Sequence, residues 1–286
     1  MATLKAIRRR IASVRNIQQI TNAMRMVSAA RLRRAQEAAE AARPYAEKLE
    51  AVLHNLAGQS QTLVHPLLTK REEAKIDLML YTSDRGLCGS FNSSLIREAE
   101  AFINAHPAQE VTISCVGRRG FDYFRRRQAP MAEEHINLGG KYTSALAHDI
   151  GLRMTERFLS GESDGFYILY ARFRSALVQV PTLDQVLPIV PQEQDDADAV
   201  SLDYLYEPTA QGLLSRLLTR YVDMLLYRAM LESVASEHGA RMTAMENATN
   251  NAVEMIDTLT LDMNRARQAD ITRELLEIVA TGESLK

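Results

Sequence analysis

The sequence predicts a small α/β domain with a Rossmann-like parallel sheet, inserted between two long terminal helices that pair as an antiparallel coiled coil. Residues 1–43 contain neither glycine nor proline, and residues 213–281 contain no proline and one glycine, Gly239. Because glycine and proline interrupt helices, the two ends are expected to be helical and the middle to hold a separate folded domain. The predicted segments are an N-terminal helix at 1–57, an α/β domain at 58–208 and a C-terminal helix at 209–286, which pairs with the first.

Heptad spacing supports the coiled-coil part of this prediction. In the C-terminal segment, apolar and small residues recur at alternating steps of three and four, which is typical of a coiled-coil seam. A stripe with similar steps runs along the N-terminal segment, and neither stripe is stable when exposed to water alone. The C-terminal seam is rich in Met, Ala and Thr, which fits either an adaptable interface or ordinary packing of small residues. The C-terminal seam comprises Met242, Met245, Thr249, Ala252, Ile256, Leu259, Met263 and Ala266. The N-terminal stripe comprises Leu4, Ile7, Ile11, Val14, Ile17, Ile20, Met24 and Val27.

The middle of the chain alternates between strand-like and helix-like segments. Such alternation favours an α/β domain with a mainly parallel sheet. A further strand is expected within residues 177–190, before an acidic loop at 192–198. The other predicted strands lie at 76–82, 111–117 and 165–174, and the predicted helices at 95–105, 121–127 and 143–160.

The sequence lacks the residues that several kinds of functional site require. The two cysteines, Cys88 and Cys115, form no CxxC pair, and the six histidines are scattered singly, so no metal site is expected. The loop at 83–92 follows the first strand, where a nucleotide could bind, but it lacks the glycine spacing of a phosphate loop, so no cofactor is expected. A structural role for Cys88 is favoured over a reactive thiol. The sequence also shows no secretory signal and no apolar run of membrane-spanning length.

Charge is distributed unevenly between the two ends. Residues 1–34 carry nine basic side chains and no acidic one, whereas residues 209–286 carry eight basic and eleven acidic side chains. A basic helix can bind nucleic acid or an anionic membrane. Its apolar stripe is already used by the coiled coil and it has no aromatic residues for base stacking, so a protein partner with an acidic lining is favoured. A nucleic-acid-associated coiled coil and a nucleotide-dependent enzyme are the rival hypotheses.

Four blocks of sequence, in order, resemble the γ subunit of F-type ATP synthases. In that family the terminal helices form an antiparallel coiled coil inside a hexamer of α and β subunits. The α/β domain forms a foot on the c-ring. The resemblance implies a rotor stalk that couples proton-driven rotation to ATP synthesis or hydrolysis in the β subunits, without a catalytic site or cofactor of its own. The four blocks are residues 7–27, Ser83 to Gly89, Asp203 to Pro208, and Ala240 to Met245 together with Ala266 to Leu275.

The resemblance also implies roles for individual residues. Arg267 and Gln268, with Arg265 nearby, would hydrogen-bond a loop of a β subunit. Met24 would face the acidic lever of β, and Arg25 follows it where some relatives carry an acidic residue. The foot residues Tyr204 and Glu207 would meet the c-ring and the ε subunit.

The resemblance finally implies an environment. The middle domain has no long cysteine-bearing insertion of the kind found in chloroplast members, so a bacterial enzyme is expected. Its partners would be α, β, ε and the c-ring, and not nucleic acid. The chain would lie on the cytoplasmic face of the inner membrane as a peripheral protein, associated with the membrane only through the c-ring.

Overall fold

The computed structural model describes residues 4–59, 65–140, 142–190 and 210–284. The chain divides into two compact units. One contains residues Met1–Ser28 and Arg241–Lys286, and the other contains residues Ala29–Ala240. The sequence-based segments have their boundaries at other positions, because here each long helix contributes to both units.

Two long helices and a five-stranded sheet make up most of the described chain. The sheet has the order β3-β2-β1-β4-β5. Strands β1 to β4 pair in parallel, and β5 pairs antiparallel with β4. The helices are α1 (Leu4–Gln59), α2 (Phe91–Ala105), α3 (Arg118–Arg126), α4 (Ser144–Ser160) and α5 (Ala210–Ser284), and the strands are β1 (Lys75–Tyr81), β2 (Glu110–Val116), β3 (Met131–His135), β4 (Gly165–Phe173) and β5 (Gln179–Leu187).

The sheet separates two apolar cores in the larger unit. Successive side chains of a strand point to opposite faces, so Leu78 and Leu80 of β1 pack in the cluster that holds residues of α2 and α3. Met79 and Tyr81 pack in the cluster that holds residues of α4 and α5. The predicted mainly parallel α/β domain is thereby confirmed.

The larger unit also contains parts of both long helices. Val52 of α1 packs against the cluster that contains Leu218 of α5. Ala46 and Leu49 of α1 pack with Met224, which is further along α5. The two long helices therefore contact each other within this unit. This packing opposes the helix-breaking tendency of Pro44, through which α1 continues.

Gly239 has a packing role in the larger unit. A side-chain Cβ at this position would lie 3.2 Å from the ring of Phe173 and 3.3 Å from the Cα of Ala176. The nearby Ser236 hydroxyl donates to the carbonyl of Ala171 at 2.9 Å. The only glycine within residues 213–281 thus allows α5 to approach the β4–β5 hairpin closely.

Strand β3 was not predicted. Its sequence, Met131 to His135, contains two glutamates and reads as a polar loop. Among the described strands it pairs with β2 alone, and it lies at an edge of the sheet that they form. An edge strand needs few apolar side chains, which explains why hydrophobic patterning did not reveal it.

In the smaller unit, the seam of α1 differs from the predicted stripe. Ile11 and Val14 are buried as expected, but Ile17 and Ile20 are 50% and 59% exposed, and Val27 is also exposed. The buried positions that follow Val14 are Thr21 and Ser28. Steps of seven residues from Val14 lead to these two polar residues. The predicted stripe follows the nearest aliphatic side chains instead, and its register is therefore wrong beyond Val14.

Candidate functional site

A polar contact joins the two helices of the smaller unit. The Thr249 hydroxyl donates to the Thr21 hydroxyl at 2.8 Å and lies 2.7 Å from the carbonyl oxygen of Met245. Among the predicted seam residues, Met245 and Ala252 are buried. The remaining predicted seam residues are half-buried, namely Met242, Thr249, Ile256, Leu259, Met263 and Ala266. The helices therefore meet through small, flexible and hydroxyl-bearing side chains.

The outer surface of α1 in this unit is basic. Five cationic side chains are exposed within residues 4–15 of α1, and no acidic residue interrupts them. Arg25 is half-buried and donates to the Asn22 side-chain oxygen at 3.3 and 3.1 Å. Met24 is also half-buried, and its carbonyl accepts from Ser28 at 2.8 Å. The exposed cations are Lys5, Arg8, Arg9, Arg10 and Arg15.

Near the end of α5, the three predicted contact residues Arg265, Arg267 and Gln268 are exposed. Arg265 lies 3.8 Å from Asp262 of its own helix. Arg267 has no ion-pair partner in the described part of the chain, so its guanidinium can donate to another molecule. Tyr204 and Glu207, the predicted foot residues, lie outside the described residues.

The last turns of α5 carry an apolar surface that the sequence analysis did not single out. Five large aliphatic side chains there are at least half exposed, which is unusual for a helix facing only water. The sequence signal was a run of aliphatic residues that continues after the last seam position, Ala266. The five exposed side chains are Ile271, Leu275, Leu276, Ile278 and Val279.

The loop after β1 is held by its own hydrogen bonds. Asp84 Oδ1 accepts from the backbone N–H of Arg118 at 3.1 Å and from that of Asn137 at 3.0 Å. Its carboxylate thereby occupies the start of α3, where a phosphate would be favoured in a nucleotide site. Cys88 is buried and lies 3.1 Å from Asn92 Nδ2. The loop has the properties of a tight turn, and the burial of Cys88 favours its structural role.

Within the described ranges, no three His, Cys, Asp or Glu side chains converge as metal ligands would. No described helix combines the length and the apolar character that crossing a bilayer requires.

Solved structures with the same fold come from ATP synthases. A chain of the Euglena gracilis mitochondrial ATP synthase in rotational state 3 superposes with a TM-score of 0.68 at 20% identity, covering 99% of this chain and 94% of that chain. A chain from the central stalk and c-ring of the Tetrahymena thermophila enzyme gives a TM-score of 0.61 at 24% identity, covering 80% and 99%. This chain therefore shares its fold with chains of these ATP synthases.

Sequence comparison defines the family. A family model described as ATP synthase matches residues 3–285. The ATP synthase gamma chain of Geobacter metallireducens is 48% identical, and that of Geobacter sp. strain M21 is 46% identical, each over the full length of both chains. This chain therefore belongs to the ATP synthase gamma chain family, which confirms the resemblance seen in the four sequence blocks.

Proposed function

We propose that this chain is the central rotor stalk of a proton-translocating F-type ATP synthase. It turns with a c-ring and couples this rotation to ATP synthesis or hydrolysis in the β subunits. The observation that carries the proposal is the surface of the smaller unit. There a continuous basic face on α1 adjoins α5, whose end carries exposed aliphatic side chains and Arg267, which has no ion-pair partner among the described residues.

The stalk acts through asymmetry. α1 presents cations, whereas α5 presents mixed charge and, at its end, aliphatic side chains. A surrounding subunit therefore meets different chemistry at each rotational position. A coupling element must interact differently with each conformational state of its partner, since equal interaction with every state shifts no equilibrium. The two-helix surface meets this requirement without a catalytic group of its own.

The proposed partners follow from family membership and the exposed surface. The basic face of α1 suits an acidic lining formed by α and β, with Met24 and Arg25 near the β lever. The segment that contains Tyr204 and Glu207 is assigned to the c-ring and ε. In a bacterial cell, the chain would lie on the cytoplasmic face of the inner membrane, held there only through the c-ring. In cells that lack the c subunit, this chain should therefore be absent from the membrane fraction.

The decisive test of coupling is the double variant Arg267→Ala/Gln268→Ala in a complex reconstituted with α and β. Hydrogen bonds that involve a charged group contribute about 1.5–3 kcal/mol, so ATP turnover is expected to fall about tenfold or more. The isolated variant should keep the wild-type circular dichroism, because both side chains are exposed.

Arg97→Ala is the matched control, since Arg97 is an exposed arginine on α2 of the larger unit. It should leave turnover unchanged. Wild-type turnover in the double variant would refute the proposed contacts of Arg267 and Gln268. If ATP turnover by the α and β subunits did not depend on the presence of this chain, the stalk function would be refuted.

A further inference from the structure

The larger unit contains an open groove of about 840 Å³. Its walls are residues 39–46 of α1, the first turns of α4 and residues 220–232 of α5. The volume lies within the range typical of ligand-binding clefts. We call this cleft the basic groove.

The floor of the basic groove is apolar and smooth. Ala39, Ala42 and Ala46 follow one another on α1 at steps of three and four, so they form one stripe of small side chains. Met224 and Leu231 of α5 complete the floor, and both are buried. Since interhelical distance depends on side-chain size at the contact, an alanine stripe allows a further helix to approach closely.

The rim of the basic groove is cationic. Arg43, Arg220 and Arg228 line it, and Arg43 has no ion-pair partner among the residues that the structure describes. The two acidic side chains of the groove already have cationic or donor partners. Asp223 accepts from His148 Nδ1 at 2.8 Å, and Glu232 pairs with Arg228 at 3.3 Å. Arg220 also lies 3.9 Å from Asp223, so the two acids balance two of the three arginines, and Arg43 keeps the positive charge that the rim does not neutralise.

Six of the fifteen lining residues are of types enriched in protein–protein interfaces, whereas the four alanines, Ser144 and the two acidic residues are of depleted types. Tyrosine, methionine and arginine are enriched in interface cores, and lysine is depleted there. The lining contains Tyr45, Tyr227, Met224 and three arginines, and no lysine. Tyr45 is 57% exposed and can pack against a bound chain.

We propose that the basic groove binds an amphipathic helix of another protein chain, with acidic residues beside its apolar stripe. The apolar stripe would lie on the alanines and Met224, and the acidic residues would face Arg43 and Arg220. This inference does not depend on the stalk function, because it rests only on the groove.

The test uses the full chain and two fluorescein-labelled peptides of about 20 residues, long enough to form a helix when bound. Both have leucines at helical spacing, and one carries glutamates where the other carries lysines. Fluorescence anisotropy at low salt is expected to show at least tenfold tighter binding of the glutamate peptide. The preference should weaken at high salt, which screens exposed charges.

Charge reversal makes the test specific. Arg43→Glu/Arg220→Glu should reverse the preference in favour of the lysine peptide. Arg125→Glu/Arg126→Glu, which reverses two exposed arginines on α3, should keep the wild-type preference. Ala42→Trp, which fills the floor of the groove, should weaken the binding of both peptides. Circular dichroism checks that each variant is folded.

Several outcomes would overturn the proposal. These are equal affinity for the two peptides, or an unchanged preference after reversal of Arg43 and Arg220. Binding of dodecanoate in the groove without binding of either peptide would identify a small amphiphilic anion as the occupant instead. Self-association that Ala42→Trp abolishes, without peptide binding, would identify a second copy of the chain.

Discussion

At the scale of single residues, Gly117 shows how backbone geometry positions the loops at the end of the sheet. Its φ is +100°, and an added Cβ would lie 2.0 Å from the carbonyl oxygen of Thr82. The Thr82 hydroxyl in turn accepts from the N–H of Gly120 at 2.9 Å. Gly117 therefore permits the close approach that links the end of β1 to the start of α3.

Gly117→Ala is expected to lower the free energy of unfolding by about 3 kcal/mol or more, through backbone strain and steric clash together. Gly139→Ala is the matched control, because Gly139 also has a positive φ, +62°, but no atom lies within 4 Å of an added Cβ. The control should cost only about 1 kcal/mol. Urea unfolding of both variants measures the difference, and equal costs would exclude the close approach as the cause.

His65 predicts a pH dependence of stability. Its Nδ1 accepts from the Leu67 N–H at 3.2 Å, and its Nε2 lies 3.1 Å from the Ser215 hydroxyl. Burial lowers the pKa of His65 from its ordinary value of 6.5. The folded state then binds fewer protons than the unfolded state, so this residue makes stability fall as the pH drops through 6.5 and below.

His65→Gln should therefore lose less stability than the wild type between pH 7.5 and pH 5.5. Urea unfolding at the two pH values measures the effect. His106→Gln serves as the control, since it leaves His65 in place and should keep the wild-type dependence. If His65→Gln keeps that dependence too, another group is responsible.

At the scale of elements, the seam of α1 makes a prediction about register. Ile11 is 7% exposed and Ile20 is 59% exposed, although both belong to the apolar stripe predicted from the sequence. Ile11→Ala is expected to destabilise the smaller unit by about 2 kcal/mol or more, because it removes a buried side chain. Ile20→Ala should cost less than about 0.5 kcal/mol. Thermal unfolding, followed by circular dichroism, measures the two losses of stability. A larger loss for Ile20→Ala than for Ile11→Ala would support the register predicted from the sequence instead.

The polar contact between Thr21 and Thr249 explains why hydrophobic spacing alone misplaces this seam. Burying a hydroxyl is tolerated when it is hydrogen-bonded. Each threonine supplies the partner of the other at 2.8 Å. A pattern search on one helix cannot identify this pair, because the partner lies 228 positions away in the sequence.

At the scale of the whole molecule, we expect the end of α5 to matter for assembly of the complex but not for stability of the isolated chain. Ile278 and Val279 are 68% and 59% exposed, so they contribute little burial to the isolated chain. Removal of residues 277–286 should leave the melting temperature nearly unchanged. It should nevertheless weaken assembly or turnover of a complex reconstituted with α and β, which would cover these side chains. A large drop in melting temperature would contradict the first expectation, and wild-type assembly and turnover would contradict the second.

The long helices, three of the strands, the further strand β5 and the family could be predicted from the amino-acid sequence. These features depend on local periodicity, on the placement of glycine and proline, and on four contiguous blocks, all of which can be read along one segment. The exposure of Arg265, Arg267 and Gln268 was likewise predictable, since they lie beyond most of the seam. Their contacts with a β subunit remain a prediction.

The buried position of Thr21, the edge strand β3, the packing role of Gly239 and the basic groove could be established only from the folded structure. In each case the deciding contact joins segments that are distant in sequence, and its energy depends on the partner as much as on the residue itself. A polar residue is buried when a donor or acceptor faces it, and a polar segment becomes a strand when a sheet edge lies beside it. Such partners exist only once the chain has folded.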